Sequence, residues 1–144
     1  MRSYGEFLGV DHIDLRVPSF GETESFYDQL LPALGLTQKR YAFVDARGEW
    51  SDVPPGSAPN VAEYYESAAQ AAPHFIGIIE AQGMVATQTR VAFRVAASDL
   101  TAWQGRLRAM GARNVEPSSD PEMYPAVFFE DPCGTKLELC ARKR

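Results

Sequence analysis

The stretch DHIDLRV (residues 11–17) decides the fold because TRVAFRV (residues 89–95) reads as a second copy of it. Laid side by side, His12 falls on Arg90, Leu15 on Phe93, Arg16 on Arg94 and Val17 on Val95. Both stretches alternate polar and apolar residues, the pattern of a strand with one buried face. In the first copy Val10, His12, Asp14 and Arg16 share one face, and Ile13, Leu15 and Val17 share the core-facing one. A largely polar face on a strand of this kind has some task other than packing.

The residues that follow each copy repeat the same order of elements. After the first comes PSFGETESFYDQLLPALGL (18–36), a predicted helix. Ser19 is its cap with Glu22 at capping-box spacing, Phe26, Leu30 and Leu34 form its stripe, Pro32 kinks or ends it and Gly35 stops it. QKRYAFV (38–44) predicts a strand, SDVPPGSAPN (51–60) a loop, and HFIGIIEA (74–81) another strand. NVAEYYESAAQAA (60–72) is ambiguous; Asn60 with Glu63 as a cap pair favours a short helix. After the second copy, SDLTAWQGRLRAMGA (98–112) predicts a helix with Ser98 as cap, Trp103 in its core stripe and Gly111 as stop. RNVEP (113–117), PAVFFED (125–131) and TKLELCA (135–141) predict strands, with the tight turn DPCG (131–134) before the last.

A unit that occurs twice makes a pseudo-symmetric pair, not a solenoid. The expected fold is therefore α+β, with two tandem βαβββ modules forming one curved mixed sheet around a concave pocket, helices outside. The modules are expected at about 8–86 and 87–144, with an insertion at about 45–73. Aligning the module ends pairs IIEA (78–81) with KLEL (136–139), hence Glu80 with Glu138. His12 and Glu80 then bound one module, and Arg90 and Glu138 the other, at equivalent positions.

Composition narrows the function classes. The chain has 144 residues, 45% of them hydrophobic and 23% charged, which is ordinary for a globule able to bury a core. A net charge of −5 disfavours nucleic acid and anionic membranes as partners. No apolar run approaches the ~18 residues of a membrane span, and a cytoplasmic location is expected. Cys133 and Cys140 lack a second Cys or a His at metal-ligand spacing, and read as a turn thiol and a buried strand thiol. His74 reads as an edge or loop residue.

The stretches VDHIDLRV, SFYDQLLPALGL, TRVAFRV and FFEDPCGTKLEL together resemble the vicinal oxygen chelate superfamily, which includes glyoxalases, bleomycin resistance proteins and extradiol dioxygenases. The likeness spans nearly the whole chain outside 45–73. It implies a divalent metal (Fe, Mn, Ni, Mg or Zn) held in the concave sheet by His12, Glu80 and Glu138. It also implies a homodimer in which each cavity closes against a partner. The fourth ligand position is Arg90, and a guanidinium has no lone pair for a metal.

Beside a scaffold role with a decayed site, two readings stay open on the sequence. In one, Arg90 replaces the metal and the pocket is a metal-free or metal-altered small-molecule binding site, with Arg90 pairing to Glu80, Glu138 or a ligand carboxylate. Trp50, Tyr64, Tyr65 and Tyr124 are candidate walls for its ligand, and the acidic balance suits a cation. In the other, the protein is a divalent-metal-dependent lyase, isomerase or dioxygenase on a small oxygenated substrate, with Glu138 or Glu80 as the base.

Overall fold

The computed structural model describes residues 5–67 and 73–142. The first repeat unit folds as β1 (His12–Val17), α1 (Phe20–Ala33), β2 (Gln38–Val44), β3 (Trp50–Ser51), β4 (Val61–Tyr65) and β5 (Phe75–Glu80). The second folds as β6 (Arg90–Arg94), α2 (Leu100–Met110), β7 (Arg113–Pro117), β8 (Ala126–Glu130) and β9 (Lys136–Cys140). The protein is thus α+β with tandem βαβββ modules. The strands lie in two sheets, ordered β1-β5-β4-β2-β3 and β6-β9-β8-β7. In each sheet the first strand runs parallel to the last of its module and forms an edge. The repeat read in the sequence is therefore a repeat in topology.

One face of each sheet is apolar and packs on helices. Val17, Ile76, Ile78 and Ala62 from the first sheet share a single buried cluster with Val127, Phe129, Leu137 and Leu139 from the second. Phe26, Tyr27, Leu30 and Leu31 of α1 and Trp103 and Leu107 of α2 belong to the same cluster. The helical stripe of the sequence and the apolar sets of both strand copies meet in this cluster.

The DPCG turn ties the modules together. Asp131 is fully buried. Its Oδ1 accepts from the backbone N–H groups of Cys133 and Thr135 at 2.8 and 3.0 Å, and its Oδ2 accepts from the Tyr27 hydroxyl at 2.6 Å. Burial, then the neighbouring Asp131 charge, pushes the Tyr27 hydroxyl well above its usual pKa.

Three local expectations need correction. Residues 61–65 form strand β4 instead of a helix, paired on both sides by β2 and β5. Asn60 caps nothing; its side chain bridges the backbone N–H and C=O of Val44 at 2.9 and 2.8 Å. Val61, Tyr64 and Tyr65 are strand-favouring types, and two neighbouring strands override a helical spacing. The remainder of that expected helix, 68–72, lies outside the described residues. Trp50 and Ser51 add a two-residue strand to β2 at the start of the expected loop. Ser98 makes no cap bond, because a short 3₁₀ turn at Ala97–Asp99 precedes α2. The α1 cap holds as read, with Ser19 Oγ accepting from the N–H of Glu22 at 3.3 Å.

Candidate functional site

Strand register puts the polar residues of each module on one face. In the first sheet His12 lies beside Phe75 and then Tyr65 and Gln38, while Asp14 lies beside Gly77 and then Glu63 and Arg40. In the second, Arg90 lies beside Lys136 and Glu130, while Ala92 lies beside Glu138 and then Phe128 and Glu116.

The first module carries an aromatic ladder. The His12 and Phe75 rings stack with centroids 4.4 Å apart and 4° between planes, and Phe75 meets Tyr65 at 4.5 Å. His12 Nδ1 is 2.7 Å from Asp11 Oδ2, and its Nε2 is 3.7 Å from Asp14 Oδ2. The hydrogen bond to Asp11 raises the His12 pKa, with Asp14 adding to it. A cavity of about 430 Å³ beyond the ladder is lined by Arg40, Trp50, Asp52, Glu63 and Tyr65.

The second module carries a linked set around Arg90. The Arg90 guanidinium sits over the Phe128 ring, 4.8 Å from its centroid. Phe128 lies near the Tyr124 ring at 6.5 Å, and the Tyr124 hydroxyl donates to Glu138 Oε1 at 2.6 Å. That bond raises the Tyr124 pKa. Glu138 is only 6% exposed. A bowl of about 270 Å³ is lined by Arg90, Asn114, Glu116, Phe128, Glu130 and Lys136.

The candidate residues are therefore brought together unevenly. Arg90, Tyr124 and Glu138 share one face of the second module; Trp50 and Tyr65 share one cavity of the first. Tyr64 lies on the opposite, helix-facing side, buried, with its hydroxyl donating to Asp28 at 2.8 Å. Glu80 pairs with Val17 at the far end of β1 from His12. Its Oε2 accepts from the backbone N–H of Phe20 at 3.0 Å and so serves the first turn of α1. His74 precedes β5 and pairs with Glu66 at 2.9 Å.

The register also corrects which residue of the first module matches Glu138. His12 pairs with Phe75 as Arg90 pairs with Lys136, so Glu138 corresponds to Gly77 and not to Glu80. A Cβ at Gly77 would lie 2.5 Å from Asp14 Oδ1. Asp14 leans over this glycine, whereas its counterpart Ala92 leaves room for the Glu138 side chain. The carboxylate has moved from the last strand in one module to the first strand in the other.

These residues do not fit the metal set that the resemblance implies. Of the four corresponding positions, Arg90 has no lone pair and Gly77 has no side chain. Glu138 is engaged by Tyr124, and His12 by Asp11. Among the described residues no group of three His, Cys, Asp or Glu side chains gathers closely enough to hold a metal ion.

Sequence reasoning missed Phe128, Lys136 and Arg40, and placed Asp14 on the polar face without a role. Lys136 was within reach, since it sits two residues from Glu138 and shares its face. Phe128 joins the site only through cross-strand register, which one strand's pattern does not reveal.

The arginines of the polar faces stand out electrostatically. Ion pairs among the described residues use Lys39, Lys136, His12 and His74. Arg16, Arg40, Arg90 and Arg94 are exposed on these faces with no ion-pair partner among the described residues.

Fold and repeat define a paired-module α+β protein of the vicinal oxygen chelate type. The family profile "Glyoxalase/Bleomycin resistance protein/Dioxygenase superfamily" matches residues 9–139, and the chain belongs to that superfamily. Its fold is similar to that of a mutant fosfomycin resistance protein, FosX, from Listeria monocytogenes, solved with Mn(II) and 1S,2S-dihydroxypropylphosphonic acid. That match has a TM-score of 0.63 and 17% identity over 96% of this chain and 95% of that one. FosX from Mesorhizobium loti matches with a TM-score of 0.65 and 12% identity over 96% and 94%. An integron cassette protein from the mobile metagenome of Halifax Harbour sewage outfall matches with a TM-score of 0.59 and 19% identity over 94% and 100%. A search among curated proteins found no match. No helix among the described residues is long and apolar enough to cross a membrane.

Proposed function

We propose that the protein binds a small organic anion, with Arg90 as its principal contact and no metal ion required. The observation that carries this reading is Arg90 itself: an exposed guanidinium, fixed over Phe128, with no carboxylate paired to it among the described residues. A cation held in place without a counter-ion is a ready site for a carboxylate or phosphonate, which it takes bidentately. The bowl also carries Glu116 and Glu130, the latter paired to Lys136 at 3.7 Å, so the unpaired Arg90, and not net charge, sets the sign of the ligand. The phosphonate in one FosX structure is an anion of the same class. Lys136 lies in the same bowl, and Tyr124 and Glu138 lie beside it as hydrogen-bonding groups.

The test is calorimetric titration of chelator-treated protein with inorganic phosphate and with acetate. Saturable binding that weakens with salt and falls about tenfold or more in Arg90→Gln supports the reading. Lys at the position should restore only part, since it offers no planar fork. Binding that needs added Mn(II), or that survives Arg90→Gln unchanged, overturns it.

The alternative, a metal-dependent lyase, isomerase or dioxygenase using His12 and Glu138, draws support from the Mn(II) in that FosX structure. It predicts stoichiometric metal in protein purified without chelator, whereas the anion reading predicts metal uptake only after Arg90→His. A homodimer is part of the proposal: β1 and β6 each leave one side of the strand open for a partner chain. So is a cytoplasmic location, which suits the two free thiols Cys133 and Cys140.

A further inference from the structure

A slot of about 270 Å³ lies between the two sheets, at the edge where β1 and β6 begin their modules. Leu15, Met84, Ala86 and Val91 give it apolar walls, and Arg16 and Lys136 stand on it as cations beside the Asp14 carboxylate. Lys136 also lines the bowl that holds Arg90. The edge strand alternates between the two spaces: Thr89 and Val91 line the slot, and Arg90 lines the bowl. A strand interior to a sheet would wall these spaces off from each other; β6 has a free edge, so a chain can pass around it.

We infer that the ligand is amphipathic, a short acyl or aryl acid whose oxyanion sits between Arg90 and Lys136 and whose apolar part fills the inter-module slot. This rests on the anion-binding reading above and adds to it the nature of the rest of the ligand. The division of labour follows from the linings: Arg90 lies on the bowl side with Glu116 and Glu130, whereas the apolar wall of Leu15, Met84, Ala86 and Val91 lies on the slot side, with Lys136 at both. The slot is near the lower size limit of small-molecule sites, which fits a fragment and not a large cofactor.

A homologous series of straight-chain carboxylates from acetate to octanoate, titrated into the full chain, tests this. Each buried methylene should tighten binding about fourfold until the slot is full. Lys136→Met should weaken every member by a similar factor and keep the slope. Thr87→Trp, which fills the slot from an exposed position, should flatten the slope while leaving acetate and inorganic phosphate unaffected. Affinity independent of chain length, or a slope that Thr87→Trp leaves intact, overturns the inference. If phosphate and acetate bind through Arg90 without any slope, only this inference fails. If neither anion binds, the underlying reading fails with it. A slot covered by a second copy of the chain would give no slope and a dimer that Thr87→Trp disrupts, which also overturns it.

Discussion

Replacing Tyr27 by Phe should cost stability out of proportion to the single oxygen removed. The hydroxyl donates to a fully buried carboxylate, and among the described residues Asp131 has two other donors, both on its Oδ1. Phe fits the same space, so no cavity opens; what changes is that Oδ2 loses its donor where water does not reach. Hydrogen bonds to charged groups contribute about 1.5–3 kcal/mol, and a buried acceptor left bare loses at least that. At roughly 2–4 °C per kcal/mol for a chain near this size, the melting temperature should fall by about 3–12 °C. Urea denaturation at pH 7 measures the free energy directly, and the slope with denaturant should not change. The double variant Tyr27→Phe/Asp131→Asn should lose less than the two single losses added, because each removes the same contact. A Tyr27→Phe protein within about 0.5 kcal/mol of the parent would refute the view that this bond holds the modules together.

Two further outcomes follow from the corrected placements. Asn60→Ala should destabilise by about 1–3 kcal/mol in the same denaturation assay, since it strips both backbone partners from Val44 at the end of β2. Glu80→Gln should cost only about 0.3–1 kcal/mol, because the amide oxygen still accepts from Phe20 and only the charge at the α1 start is lost. Neither the loss of phosphate binding nor any change in metal content should accompany it.

The sequence revealed topology better than register. Alternation in 11–17 and 89–95 identified the first strand of each module, and the DPCG turn marked the last. Both signals are local, so one chain suffices to read them. The strand at 61–65 was hidden because Tyr64, Tyr65 and Ala68 also fit a helical spacing, and only pairing with β2 and β5 decides between them. The mistaken match of Glu80 with Glu138 has the same root. Aligning two glutamates by letter ignored which residues lie side by side in the sheets, and that pairing gives Gly77. His12 and Arg90 were legible as equivalent positions because the first strand of the repeat marks them twice. Tyr64 was misplaced because adjacent tyrosines in a strand face opposite ways, a fact invisible while the segment is read as a helix.

The open edges of β1 and β6 have a consequence for solubility. An edge strand offers unpaired backbone groups to any other strand it meets, and proteins blunt such edges with charge. Asp14 and Arg16 on β1, and Arg90 and Arg94 on β6, place that charge on both free edges. Arg90, proposed above as the anion contact, thus also helps to repel stray strands. A variant that neutralised them would risk open-ended association as well as lost binding, so its insolubility would be a property of the edges and not of a failed core.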